Sequence, residues 1–170
     1  MVIEGIPPGP GDDASETLLR EAENSREAYK AFRAKPQKTR NSLEALTRRA
    51  EGGLPRVNRL TDIYNAISVK HQVHIGGEDL DKYNGSPFLT RASGQEQFET
   101  FSGGQAQSEC AVPDDTTRVL FILDALEPLS DEALVEAAEE LVSDLKQSSP
   151  EVQTARRIIS ASSSTRSGES

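Results

Sequence analysis

The chain has no tryptophan, a single cysteine, two histidines and only 5% aromatic residues. So few rings exclude a surface built on stacking against sugars or unpaired bases. One cysteine, Cys110, excludes an internal disulfide framework and a cysteine-rich zinc site, and fits a reducing compartment. His71 and His74 lie too near a helix end to share a face, and no third ligand sits at zinc-like spacing, so no metal is expected. No apolar run approaches the length that spans a bilayer. The opening MVIEGIPPGPGDDASE has no basic segment followed by an apolar core, so no secretory signal is expected either. Missing too are the Lys-Ser/Thr pair of a phosphate loop, the GxSxG of a nucleophile elbow and the ligand set of an EF-hand. These absences leave a cytoplasmic protein with no cofactor and no membrane contact as the expectation.

The formal net charge of −9 argues against nucleic acid only if it is evenly spread, and it is not. Residues 26–59 hold ten Lys and Arg against three acids, a local balance of +7, whereas residues 109–147 carry −9. Lys35, Lys38 and Arg40 fall in a predicted loop, Arg48 and Arg49 at a helix end, and Arg56 and Arg59 in the next connector. Such a band suits an extended phosphate backbone, and it positions a nucleic acid without specifying its sequence.

Periodicity and caps give the elements. Residues 1–14, rich in glycine and proline, read as a flexible lead; 15–147 form one domain; 148–170 read as a disordered Ser-rich tail. A helix is expected from Ser15, weak near Asn24, and another over NSLEALTRRAEGG, with Asn41 and Glu44 as a capping box and Gly52-Gly53 as its left-handed exit. Asn58 caps a third helix whose stripe is Leu60, Ile63, Tyr64 and Ile67. Asp62 and Asn65 point away from that stripe. Gly76-Gly77 is expected to force a turn, and FLTRA and FETF to be short strands. RVLFILDAL, apolar on both faces, reads as a central strand covered on both sides. Ser130 caps a last helix, acidic outside, with Leu134, Ala138, Leu141, Val142 and Leu145 inward. Helices and strands segregate along the chain, which predicts an α+β fold of layered helices on a mixed or antiparallel sheet.

Two stretches carry a resemblance. The run from SREAYKAFRAKPQKTR through LPRVNRLTDIYNAIS to GGEDLDKYNG resembles the B3/B4 domain, the tRNA-binding and editing module of the phenylalanyl-tRNA synthetase beta subunit, in its freestanding form. DDTTRVLFILDALEPLSDEALVEAAEEL is similar to that family's closing strand and helix. The resemblance implies a partner in tRNA or aminoacyl-tRNA, not DNA, and a pocket that deacylates mischarged tRNA. By position it points to Asp62 and Asn65, to Gly76, Gly77, Glu78 and Asp79, and to Thr116 and Thr117. In such a site glycine-turn amides hold a carbonyl or water and a carboxylate orients the water; the Asp62–Asn65 face is expected to brace the glycine turn. His74 stands where freestanding relatives usually carry proline. Between Gly104 and Asp114 their long segment of further strands is replaced by QAQSECAVP, so the fold should be incomplete, RVLFILDAL should lose sheet neighbours, and its apolar edges should need other cover or stay exposed. A different class of partner, a protein docking on the acidic helix 131–146, is the alternative.

Overall fold

The computed structural model describes residues 1–24, 42–50, 52–87, 112–125 and 129–159. Lys35, Lys38, Arg40, Cys110, the Asn41 cap and the strands expected at 88–92 and 98–101 lie outside the described residues. The described chain runs β1 Val2–Glu4, α1 Asp13–Asn24, α2 Ser42–Arg49, α3 Arg59–His71, β2 His74–Asp79, a short 3-10 turn Leu80–Lys82, β3 Arg118–Asp124, α4 Asp131–Ser148 and β4 Gln153–Ala155. The sheet order is β2-β3-β1-β4, with every pairing antiparallel. The fold is α+β, helices packed on an antiparallel sheet. No described helix is long and apolar enough to cross a membrane.

Local signals place the helices as expected. Asn58 accepts from Thr61 N at 2.8 Å to cap α3, and its Nδ2 donates to the Val112 carbonyl, tying the cap to the strand approach. Ser130 caps α4 by accepting from Ala133 N. Asp12 and Ser15 cap α1 reciprocally: the Asp12 carboxylate accepts from Ser15 N, and Ser15 Oγ accepts from Asp12 N. Past α2, Gly53 has φ +105°, the left-handed exit that its glycines predict.

Helix α3 is the keel of the domain because it is buried on two faces. Leu60, Ile63 and Ile67 enter the main core with Ile3, Ile75, Val119, Phe121 and the α4 residues Ala137, Leu141 and Leu145. Ala66 and Val69 enter a second cluster with Leu19 and Ala22 of α1 and Leu54. Asp62 and Asn65 fall on that second side and are buried. On α4 the inward residue between Leu134 and Leu141 is Ala137, one position before the predicted Ala138.

Three expectations are corrected. The lead does not hang loose: Ile3 is fully buried, and β1 lies between β3 and β4, in register Val2↔Leu120 and Val2↔Ala155. The Ser-rich tail supplies β4 before residues 160–170 pass outside the described set. Gly76 and Gly77 do not turn; they sit inside β2, opposite Ile122 and Phe121. The turn between α3 and β2 is made instead by Gln72, at φ 56° and ψ 36°, whose N–H donates to the Ser68 carbonyl. Strand β3 is central, as its pattern requires, but its two faces differ. Val119 and Phe121 point into the core, and Ile122 on the other face is 40% exposed.

Candidate nucleic-acid interface

The described arginines of the basic band have divided roles. Arg56 is the most tied: it donates to Glu16 through Nε and Nη2, both at 2.9 Å, to Glu23 at 2.6 Å, and to the Leu54 carbonyl. Glu23 also accepts from Leu54 N, so one carboxylate pins the connector to α1. Arg59 lies 2.7 Å from Asp12 and donates to the Pro7 carbonyl. Glu16 and Glu23 are seven residues apart on one face of α1, a spacing that could have signalled a partner for the arginines. Arg48, in contrast, pairs among the described residues with Glu44 one turn earlier, in an exposed pair. Arg49 is exposed and makes no ion pair with the described residues. An exposed i,i+4 pair is worth about 0.3–0.5 kcal/mol, so Arg48 can exchange Glu44 for a phosphate.

Where α1, the connector and α3 meet there is a cleft of about 320 Å³, lined among others by Asp12, Asp13, Glu16, Arg56 and Asp62. Four carboxylates against one guanidinium make it a poor seat for phosphate. At its floor Asp62 accepts from Val57 N at 2.8 Å. Burial pushes the Asp62 carboxyl above its ordinary range, the Val57 hydrogen bond opposing. Gly11 is required beside it, because a Cβ there would stand 2.8 Å from Asp62 Oδ2.

Glu16 behaves in the opposite way. Hydrogen bonds from Arg56, and then Arg20, hold its carboxyl down at about 2, against an ordinary 4.5. With the folded pKa depressed, this network's contribution is present above pH 4.5 and is lost as pH falls toward 2. The urea midpoint of the wild type should therefore fall more steeply over that window than that of Arg56→Ala. Equal slopes would show that the network carries no linkage.

The residues indicated by family position separate into different places. Asp62 and Asn65 face α1, on the far side of α3 from the glycines. The α3 residue that meets this strand is Tyr64, at Gly77 alone, where an added Cβ would sit 3.1 Å from the Tyr64 Cε1. Asp62 and Asn65 therefore do not brace Gly76-Gly77. Asp79 and Thr116 do come together, both buried, with Thr116 Oγ1 donating to Asp79 Oδ2 at 2.9 Å. Asp79 Oδ1 also accepts from Asp81 N, capping the 3-10 turn. Glu78 accepts from the Tyr83 hydroxyl. Thr117 is exposed, and its carbonyl accepts from Gly5 N and Ile6 N. Sequence reasoning missed Arg118, which joins Glu4 of β1 and Asp81 at the same end of the sheet. His71 pairs with Glu140 at 2.6 Å, and His74 Nδ1 lies 3.3 Å from Asp124. Among the described residues no cluster of His, Cys, Asp and Glu could hold a metal ion.

Comparison with known proteins gives one result. A family model for the B3/4 domain matches residues 24–125. No curated protein matches the chain, and no solved structure does. The matched stretch holds the basic band, α2, α3, β2 and β3, while β1, α4 and β4 complete the sheet and core from outside it. Covered over more than half its length, the chain belongs to the B3/4 domain family, which is related to the phenylalanyl-tRNA synthetase beta subunit.

Proposed function

We propose that this protein binds tRNA through the basic segment that ends on α2, with Arg48 and Arg49, two exposed arginines among the described residues, as phosphate contacts. The observation that carries the reading is the contrast among the arginines within the family match. Arg56 and Arg59 are spent holding α1 and the N-terminal residues, whereas Arg48 and Arg49 are exposed at the end of a cationic stretch. Lys35, Lys38 and Arg40 belong to the same proposed surface. Hydrolysis of mischarged tRNA in trans is the stronger form of this reading. The carboxylates that would orient a water, Asp62 and Asp79, each accept hydrogen bonds from their own fold, so the proposal commits to binding. The acidic-helix alternative has less to offer a protein partner, since Glu139 and Glu140 already pair with Arg156, Lys70 and His71.

Binding to tRNA should weaken steeply with salt. Arg48→Ala/Arg49→Ala should lower affinity and reduce the logarithmic salt slope by about one to two. Arg56→Ala should leave that slope unchanged and lower stability instead. A wild-type affinity that does not respond to salt would remove the proposal. Mischarged and correctly charged tRNA, incubated with the protein, report on hydrolysis separately: loss of the mischarged ester above buffer would establish the stronger form.

A further inference from the structure

Of the chain's five asparagines, one precedes a glycine: Asn84, in the run KYNGSP. The fold treats it unlike Asn58 and Asn65. Asn58 is buried, its side-chain oxygen taken by Thr61 N and its amide by the Val112 carbonyl. Asn65 is buried midway along α3, where the peptide nitrogens are engaged in helix hydrogen bonds. Asn84 is exposed, and so are Gly85, Ser86 and Pro87 after it.

The chain is fastened up to this point and loose from it onward. Tyr83 N donates to the Leu80 carbonyl, the Tyr83 hydroxyl donates to Glu78, and Arg118 holds Asp81. Among the described residues, none forms a hydrogen bond with residues 84–87. Gly85 has φ +102°, and a Cβ built on it would meet nothing within 4 Å. The Gly85 nitrogen is therefore unscreened by any side chain, and the backbone is free to bring the Asn84 amide carbon over it.

We infer that Asn84 is a site of spontaneous deamidation through a cyclic imide. The Gly85 nitrogen gives up its proton to solvent and attacks Asn84 Cγ. A new C–N bond forms, and the side-chain nitrogen, protonated by water, leaves as ammonia. Water then opens the imide at either carbonyl. Breaking the bond between Gly85 N and Cγ gives aspartate. Breaking the bond between Gly85 N and the α-carbonyl carbon gives isoaspartate, whose main chain runs through Cβ and Cγ. Water supplies the oxygen, so no other reagent is needed. Either product adds a negative charge to a stretch that already holds Glu78, Asp79 and Asp81. Because residues 84–87 are exposed, the fold carries both products.

The folded full chain, incubated at mildly alkaline pH and digested with trypsin, releases Asn84 in the peptide of residues 83–91 and Asn65 in that of residues 60–70. Against an unincubated sample, the first peptide should gain the mass that replaces NH2 by OH. It should resolve into aspartyl and isoaspartyl forms, at a rate within about tenfold of the free synthetic peptide. The second should stay unchanged until denaturant unfolds α3, and the circular-dichroism melt of the incubated protein should match that of the fresh one. Conversion of 83–91 slower than that margin would show that the loop holds Asn84 away from the Gly85 nitrogen. Aspartate as the sole product would show direct attack by water on the amide. Either result, or equal conversion of the two peptides, would overturn the inference.

Discussion

Phe121→Ala is expected to remove about 3–5 kcal/mol of unfolding free energy, a large share of the roughly 5–15 kcal/mol that holds a domain together. Phe121 is 1% exposed at the middle of the central strand, and its ring meets Tyr64 edge-on, with centroids 5.8 Å apart and planes at 67°. It therefore locks α3 to the sheet at the point where β2 passes with no side chain. A Cβ on Gly77 would stand 3.1 Å from the Tyr64 ring and 3.2 Å from the Phe121 ring, and each ring is held in place by the other. Gly77→Val should thus cost about 1–3 kcal/mol through overpacking. Gly76→Val, one residue away on the open face with nothing within 4 Å, should be neutral or stabilising, since valine suits a strand and glycine does not. Denaturant midpoints for the three variants check the set. Equal midpoints for the two glycine variants would show that this packing is looser than the geometry states.

Asp62 gives the second large effect, and its sign depends on the replacement. Asp62→Ala leaves the part-buried Val57 N–H without its acceptor and opens space beneath Gly11, at a cost of about 1–3 kcal/mol. Asp62→Asn keeps an oxygen for Val57 and removes a charge that burial disfavours. Because the folded pKa of Asp62 is raised, its ionised form weighs against folding above that pKa, and the penalty vanishes as pH falls below the ordinary 3.8. The asparagine variant should match or exceed the wild type at neutral pH, and the difference should shrink on acidification. A wild type more stable than Asp62→Asn at neutral pH would mean that the carboxylate charge has a partner worth more than its desolvation.

Much of the helical frame was legible because its signals are local. The stripe from Leu60 to Ile67, the Asn58 and Ser130 caps and the Gly53 exit each act within a few residues. The site was less legible. A run of arginines in sequence says nothing about which carboxylate will reach each one, and Glu16 meets Arg56 from 40 residues away. Gly76-Gly77 carried the composition of a turn, and glycine is chosen there for opposite reasons on its two faces. Gly77 is demanded by two aromatic rings, and Gly76 faces open space. Asp62 and Asn65 were expected to brace the glycine turn because one apolar stripe accounts for one buried face, and the second buried face becomes apparent only once α1 lies across it.

What the amino-acid order settled by itself was the kind of each major element, the central place of RVLFILD and the uneven spread of charge, since each follows from short-range periodicity and composition. Tertiary structure alone decided that three residues at the start would lie inside the sheet and three near the end would become its edge. Pairing between Val2 and Leu120, or Glu4 and Gln153, joins segments far apart in the chain. A strand of three residues carries too short a pattern to announce itself until its neighbours are in place. The same long-range closure divided the arginines into those that hold α1 and those left facing water.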